Sequence, residues 1–259
     1  AMLLTPSILK GLRIHRDYLH VIVSLDGTAL AHDAARIYRK GKGSFEEVTQ
    51  GLDLLQEACI LTSISVTLGE HNKDHLKTLI DFLLERDIYS MGIDPVRIVS
   101  EESTPDSLAD ALIDAIEYAR SRNFHISGLW EGVCERLENG AIGSFCGGSG
   151  AELSVLPSGE IFPCQSQPIR LGTLEDLKTR ALFTTEAYHQ VSMRVVGNLP
   201  DCRGCEIEGM CVGGCAADAY ATEQNLYGRT KYCKFLQKMV RHHLAYLAEL
   251  AYMDKSDSF

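Results

Sequence analysis

The sequence predicts an α/β fold: the later half of a partial (β/α) barrel over residues 1–125, then a small cysteine-rich domain over 126–259 with a β-hairpin and a C-terminal helix. Three observations predict it. In the first half, short β-branched runs alternate with helical stretches, the grammar of a parallel sheet with right-handed crossovers. Only three such units are legible, too few to close a barrel of six or eight strands. Beyond residue 126 the periodicity fades while cysteine and glycine rise.

The elements follow in order. "LHVIVSLDG" (Leu19 to Gly27) is an apolar, β-branched strand ending in a turn, and a helical stretch follows near "ALAHDAARIYRK". Ser44 and Glu47 have capping-box spacing at the head of "FEEVTQGLDLLQEAC". "ILTSISVTL" (Ile60 to Leu68) is the second strand, and Asn72 is placed to cap "KDHLKTLIDFLLERD". "YSMGIDPVRI" is the third, with Arg97 at its end placed to meet a carboxylate or to form a plain surface ion pair. Thr104, with Pro105 at the first helical position, opens "DSLADALIDAIEYARSR". In the second half, "ELSVLPSGEIFPC" reads as a hairpin about Pro157-Ser158-Gly159. The last helix carries Leu236, Met239, Val240, Leu244, Leu247 and Ala251 along one face, and the tail "DKSDSF" is expected to fray. Trp130, the sole tryptophan, is expected where the two halves meet.

Composition narrows the function classes. Hydrophobic residues make up 45% and charged residues 23% of 259, a globular balance. No apolar run approaches the ~18 residues that span a bilayer. A formal net charge of −10 argues against bulk nucleic acid and anionic membranes as partners. The opening residues lack a signal peptide's apolar stretch, so a cytoplasmic location is expected. Ala1-Met2 reads as a remnant before an internal methionine, which predicts a fragment of a longer chain.

In a reducing compartment nine cysteines read as metal ligands before disulfides. Seven form a constellation. Cys146 and Cys164 read C-x12-G-x4-C, with Gly159 at the hairpin turn. Cys202, Cys205, Cys211 and Cys215 read C-x2-C-x5-C-x3-C, with glycines in the spacers where tight turns are needed, and Cys233 starts the last helix. Structural zinc, a disulfide scaffold and iron–sulfur clusters each fit the four-cysteine run by itself. Seven ligands are one short of two full sites, and their spread from a hairpin to a distant helix favours clusters over zinc knuckles. His71 and His75, four apart, lack a third ligand nearby and read as a solvated helix start; of His242 and His243 on the last helix, one must face solvent. "CGGSG" lacks the Lys-Ser/Thr of a phosphate loop and reads as a cluster wrap.

The order C-x12-G-x4-C, gap, C-x2-C-x5-C-x3-C, gap, C over residues 146–233 resembles the SPASM domain that follows the barrel in many radical S-adenosylmethionine (SAM) enzymes. "VSLDG" with the helix after it is similar to the fourth strand and helix of the radical barrel, and "MLLT" to the segment after its third strand. The resemblance implies two auxiliary 4Fe–4S clusters, with zinc as a possible substitute. Cys202, Cys205, Cys211 and Cys233 would ligate one; Cys146, Cys164 and Cys215 would ligate the other. Cys134 is the upstream candidate for the missing fourth ligand, although its apolar setting equally fits a buried inert thiol; Cys59 reads as core. Ser24 and Asp26, at the strand end where such barrels place their chemistry, would contact the ribose of SAM, against a plain Asp-Gly turn.

The same resemblance implies oxidative modification of a peptide or protein side chain, as in anaerobic sulfatase maturases and peptide maturases. The C-x3-C-x2-C loop of the catalytic cluster and the Gly-Gly-Glu stretch for SAM are absent from this sequence. This stretch alone is therefore expected to be inert toward SAM, which would be a cofactor of the full-length enzyme only. A non-catalytic cluster- or zinc-binding scaffold is the alternative. Open barrel edges would expose unpaired strand groups, which predicts self-association.

Overall fold

A computed structural model describes residues 2–96 and 105–256; Arg97 and the Thr104 cap lie outside the described residues. The chain divides into two compact units, Ala1–Glu131 and Gly132–Phe259.

The first unit runs α1 (Pro6–Ile14), β1 (His20–Ser24), α2 (Ala29–Ala35), α3 (Phe45–Glu57), β2 (Leu61–Leu68), α4 (Leu76–Leu84), β3 (Ser90–Pro95), α5 (Pro105–Arg120), β4 (His125–Ser127) and the start of α6 (Leu129–Asn139). The four strands form one parallel sheet in the order β1-β2-β3-β4, each paired with the next in sequence. Two elements escaped the sequence reading. The α1 helix begins at Pro6 behind a Thr5 cap whose hydroxyl accepts from the Ile8 N–H. The β4 strand is only three residues long, too short for its alternation to show.

Strand alternation sorts the side chains. Ile64, Val66 and Leu68 of β2 and Met91 and Ile93 of β3 are buried with the helices' apolar stripes, Leu52, Leu55, Leu79, Leu83 and Leu112 among them. The other face is mixed, with Ile22 and Leu61 exposed beside a row of small residues. Ser24, Ser65, Gly92 and Ser127 stand side by side across the four strands, and none is buried.

Two expected caps do other work. Ser44 makes no side-chain cap bond; its hydroxyl donates to the Arg36 carbonyl at 2.8 Å, and Glu47 pairs with Lys42 instead. Asp33 caps α3, its Oδ1 accepting from the N–H groups of Ser44 and Phe45, both at 2.8 Å. Asn72 is buried and stitches strand ends together: its amide donates to the carbonyls of Asp26 and Thr67, and its oxygen accepts from Gly69 N–H. Cys59 is exposed, not core. It follows α3 with φ 54°, and this left-handed residue ends the helix and turns its side chain outward. Trp130 is buried, and its indole N–H donates to the Ile93 carbonyl at 3.1 Å.

The second unit continues α6 and adds a three-stranded antiparallel sheet of β5 (Ser154–Val155), β6 (Glu160–Phe162) and β7 (Gly172–Thr173). The turn before β6 needs Gly159, whose φ of 85° carries no Cβ penalty. Then come α7 (Leu174–Lys178), α8 (Glu186–Ser192), α9 (Glu208–Cys211), α10 (Ala216–Glu223) and α11 (Cys233–Ser256). One core gathers Ile161, Leu171, Leu182, Val191, Ala216 and Leu226; a smaller one holds Leu199, Cys202 and Val212. The apolar stripe expected on α11 holds for one half only. Leu236, Met239 and Val240 are buried, whereas Leu244 is 54% exposed and Ala251 is open to solvent.

Candidate functional site

All nine cysteines carry free thiols, so the disulfide scaffold is not formed. Cys202, Cys205, Cys211 and Cys233 line one small pocket together with Ile207, Arg229 and Thr230. Three turns bring them there. Pro200 starts a short 3-10 turn ending at Cys202, α9 delivers Cys211, and the first turn of α11 delivers Cys233. The thiols feel one another. Burial, reinforced by Cys233, Cys202 and Cys205, pushes the Cys211 thiol up to about 12. Burial likewise raises Cys202, helped by Cys233 and Cys205, and raises Cys233 against the pull of Arg229. Thiols this reluctant to ionise become thiolates when a metal replaces the proton.

The second set is looser. Cys215 and Cys164 are the thiols whose charges act on Cys146, which is exposed. A Cβ on Gly148 would lie 3.4 Å from Cys146 Sγ and 3.7 Å from Cys164 Cβ, so this backbone lies against two of the three. Gln167, buried beside them, donates from its amide to the Gly148 carbonyl at 3.0 Å and leaves Oε1 without a partner. Cys134 is buried on α6.

Gly214 N–H donates to the Cys211 carbonyl at 2.9 Å. One side chain reaches a sulfur: Gln237 Nε2 donates to Cys205 Sγ at 3.5 Å. N–H···S bonds of this kind tune thiolate-held clusters. Among the described residues no three His, Cys, Asp or Glu side chains are arranged to hold a single metal ion. Tetrahedral zinc at ~2.3 Å from each sulfur would need the sulfurs about 3.8 Å apart. A polynuclear cluster is wider and takes its thiolates at greater separation. Four thiols lining one pocket are a donor set that either zinc or a 4Fe–4S cluster takes.

Two arginines, both missed in the sequence, grip the backbone between the sets. Arg194 is 1% exposed and donates to the carbonyls of Leu226, Gly228, Gly213 and Gly214. Burial lowers its pKa, opposed by Cys202, Cys215, Cys211 and Cys146. Arg136, half-buried, donates to the carbonyls of Met210 and Phe145, the residues just before Cys211 and Cys146. A lone charge inside the apolar "VSMRVV" was the available signal for Arg194.

In the first unit, the two expected ribose contacts part company. Ser24 ends β1 on the open face. Asp26 is 2% exposed, because the strand stops at Ser24 and the alternation stops with it. Its carboxylate takes both Nε and Nη2 of Arg36 and accepts Thr67 N–H at 2.8 Å. Its own N–H donates to His32 Nδ1 at 3.2 Å. The remaining histidine pairs stay apart from the thiols' chemistry: His243 meets Glu138, and burial lowers the pKa of His71.

No family model matches the chain. An uncharacterized protein of Archaeoglobus fulgidus is 27% identical over 222 residues, 78% of this chain and 52% of its own length. The radical SAM cyclopropyl synthase TigE of Paramaledivibacter caminithermalis is 25% identical over 220 residues, 82% of this chain and 45% of its own. The chain thus spans about half the length of the curated relatives it matches. Among solved structures, native anSMEcpe with bound AdoMet superposes with a TM-score of 0.77 at 19% identity, over 97% of this chain and 73% of that one. That likeness shows a shared fold. No helix among the described residues is long and apolar enough to cross a membrane.

Proposed function

We propose that this chain is the later barrel sector and auxiliary-cluster region of a radical SAM enzyme that oxidatively modifies a peptide or protein side chain. The observation that carries it is the gathering of four free cysteines around one pocket, with Cys146 and Cys164 meeting at Gly148 and the charge of Cys215 acting on Cys146. A radical SAM relative and the fold shared with an AdoMet-bound protein support the reading; that same protein has also been solved with a Cp18Cys peptide.

Cys202, Cys205, Cys211 and Cys233 would hold one 4Fe–4S cluster and Cys146, Cys164 and Cys215 the other, with Cys134 as the candidate fourth ligand. Bound clusters would supply low-potential electron transfer in a thiolate-lined, partly dry site. The chain's own residues do the rest. Gln237 donates a hydrogen bond to the Cys205 sulfur, Gly214 N–H fixes the Cys211 carbonyl, and Ile207 lines the quartet's pocket. Ser24 and its row of small polar neighbours would present hydroxyls to a cofactor or substrate over the open sheet face. The catalytic cluster motif is absent from this sequence, so SAM cleavage is assigned to the longer protein.

Anaerobic reconstitution with iron and sulfide tests the reading. About eight iron per chain is the expected result. One or two zinc per chain with negligible iron would overturn it in favour of a zinc scaffold.

A further inference from the structure

We propose that Arg194 is the shared positioning residue and counter-charge of the two thiolate sets, fixing the strap between Cys211 and Cys215 and raising the reduction potential of both clusters together. This rests on the cluster reading above.

The strap is three residues, Val212, Gly213 and Gly214, and all three are left-handed, with φ of 47°, 71° and 69°. It joins a ligand of the quartet to a ligand of the triad. Backbone bonds fix it in part: Gly214 N–H donates to the Cys211 carbonyl at 2.9 Å and Thr230 N–H to the Gly213 carbonyl at 2.8 Å. Arg194 holds it from inside: Nη2 donates to the carbonyls of Gly213 at 3.0 Å and Gly214 at 3.2 Å. Nη1 donates to the carbonyls of Leu226 and, at 2.9 Å, Gly228. The fit is close, since a Cβ on Gly213 would lie 3.0 Å from Arg194 Nη2 and 2.2 Å from Leu199 Cδ2.

Hydrogen bonds to neutral carbonyls do not neutralise the guanidinium. Among the described residues Arg194 forms no ion pair, and its Nε has no hydrogen-bond partner. A buried cation without an anion is costly, and Arg does not escape by losing its proton. The groups whose charges reach it are Cys202, Cys215, Cys211 and Cys146, two from each set. Loading both sets with thiolate-held clusters places negative charge around this cation. In a poorly screened interior, that positive charge favours the reduced, more negative state of each cluster. One side chain therefore biases two potentials in the same direction.

The test is an EPR-monitored redox titration of reconstituted wild type, Arg194→Gln and Arg194→Lys, with iron counted per chain. Arg194→Gln is expected to lower the reduced-to-oxidised ratio of both clusters at least tenfold at fixed potential, about 59 mV for one electron. Arg194→Lys keeps the charge but not the fork, and is expected to restore most of the shift at wild-type iron content. Unchanged potentials in Arg194→Gln, a shift in one cluster only, or a lysine variant as shifted as the glutamine one overturns the role. If Arg194→Gln does not fold, a folded lysine variant with near-wild-type potentials supports the proposal; failure of both to fold reduces Arg194 to a structural residue and overturns it. A wild type that takes up no iron overturns the cluster reading itself. Loaded variants with wild-type potentials overturn only the part given to Arg194.

Discussion

The Asp26 carboxylate is buried against a guanidinium and a backbone N–H, with the N–H of Asp26 resting on His32. Truncation as Asp26→Ala strands the Arg36 guanidinium and the Thr67 N–H, and leaves the backbone bond to His32 in place. The expected cost is about 3 kcal/mol in urea unfolding, the low end for breaking a buried pair, because Arg36 remains partly solvated. His32 adds a pH dependence. Its Nδ1 accepts from Asp26 N–H while Nε2 faces Ser44 Oγ, and burial, with Arg36 adding to it, lowers its pKa below the ordinary histidine value. The unfolded chain therefore binds the proton first. Stability is complete above pH ~6.5 and falls as pH drops below it, until the folded-state pKa is passed. Unfolding midpoints measured from about pH 7.5 down to about 5 should decline more steeply in wild type than in His32→Gln; parallel curves would reject this role. At this scale the sequence was partly legible. The seven cysteines were countable, but their grouping came from the resemblance, since spacing alone joins Cys215 rather than Cys233 to Cys202, Cys205 and Cys211. Burial of Asp26 against Arg36 was not legible, since alternation says nothing about exposure once a strand has ended. Arg194 was invisible because its partners are carbonyls, which every residue has.

Strands and helices were easier to read where they are long. The β2 strand alternates over eight residues and was found within one residue of its start, whereas the three-residue β4 was not. Helix starts were harder. Ser44 and Asn72 have capping chemistry, yet the fold spends both side chains on cross-links and lets Asp33 cap α3 from eleven residues upstream. On α11, pattern alone could not tell a buried stripe from an uncovered one. Phe235, fully buried, should cost about 3–5 kcal/mol as Phe235→Ala. Leu244→Lys, at an exposed position, should change stability by no more than about 0.5 kcal/mol. Urea midpoints at matched iron content decide both, and a comparable loss at Leu244 would mean that the outer half of α11 is covered in solution.

At the scale of the molecule, the parallel sheet leaves β1 and β4 each with one paired edge among the described residues. Open edges recruit other strands. Sedimentation velocity over a dilution series should show a concentration-dependent second species; a single monomer boundary at every concentration would reject edge pairing. The net charge of −10 opposes such association most strongly at low salt, so the species should grow with ionic strength. One outward-turned side chain makes the whole assembly countable. Cys59 is exposed on its helix-ending turn in the first unit, and the seven sulfurs belong to the second. Once iron occupies the other thiols and Cys134 stays shielded, a maleimide dye should attach once per molecule, against nine times after chelation and denaturation. The difference between those two mass shifts reads, in a single spectrometer run, how many sulfurs the folded, loaded protein keeps for itself.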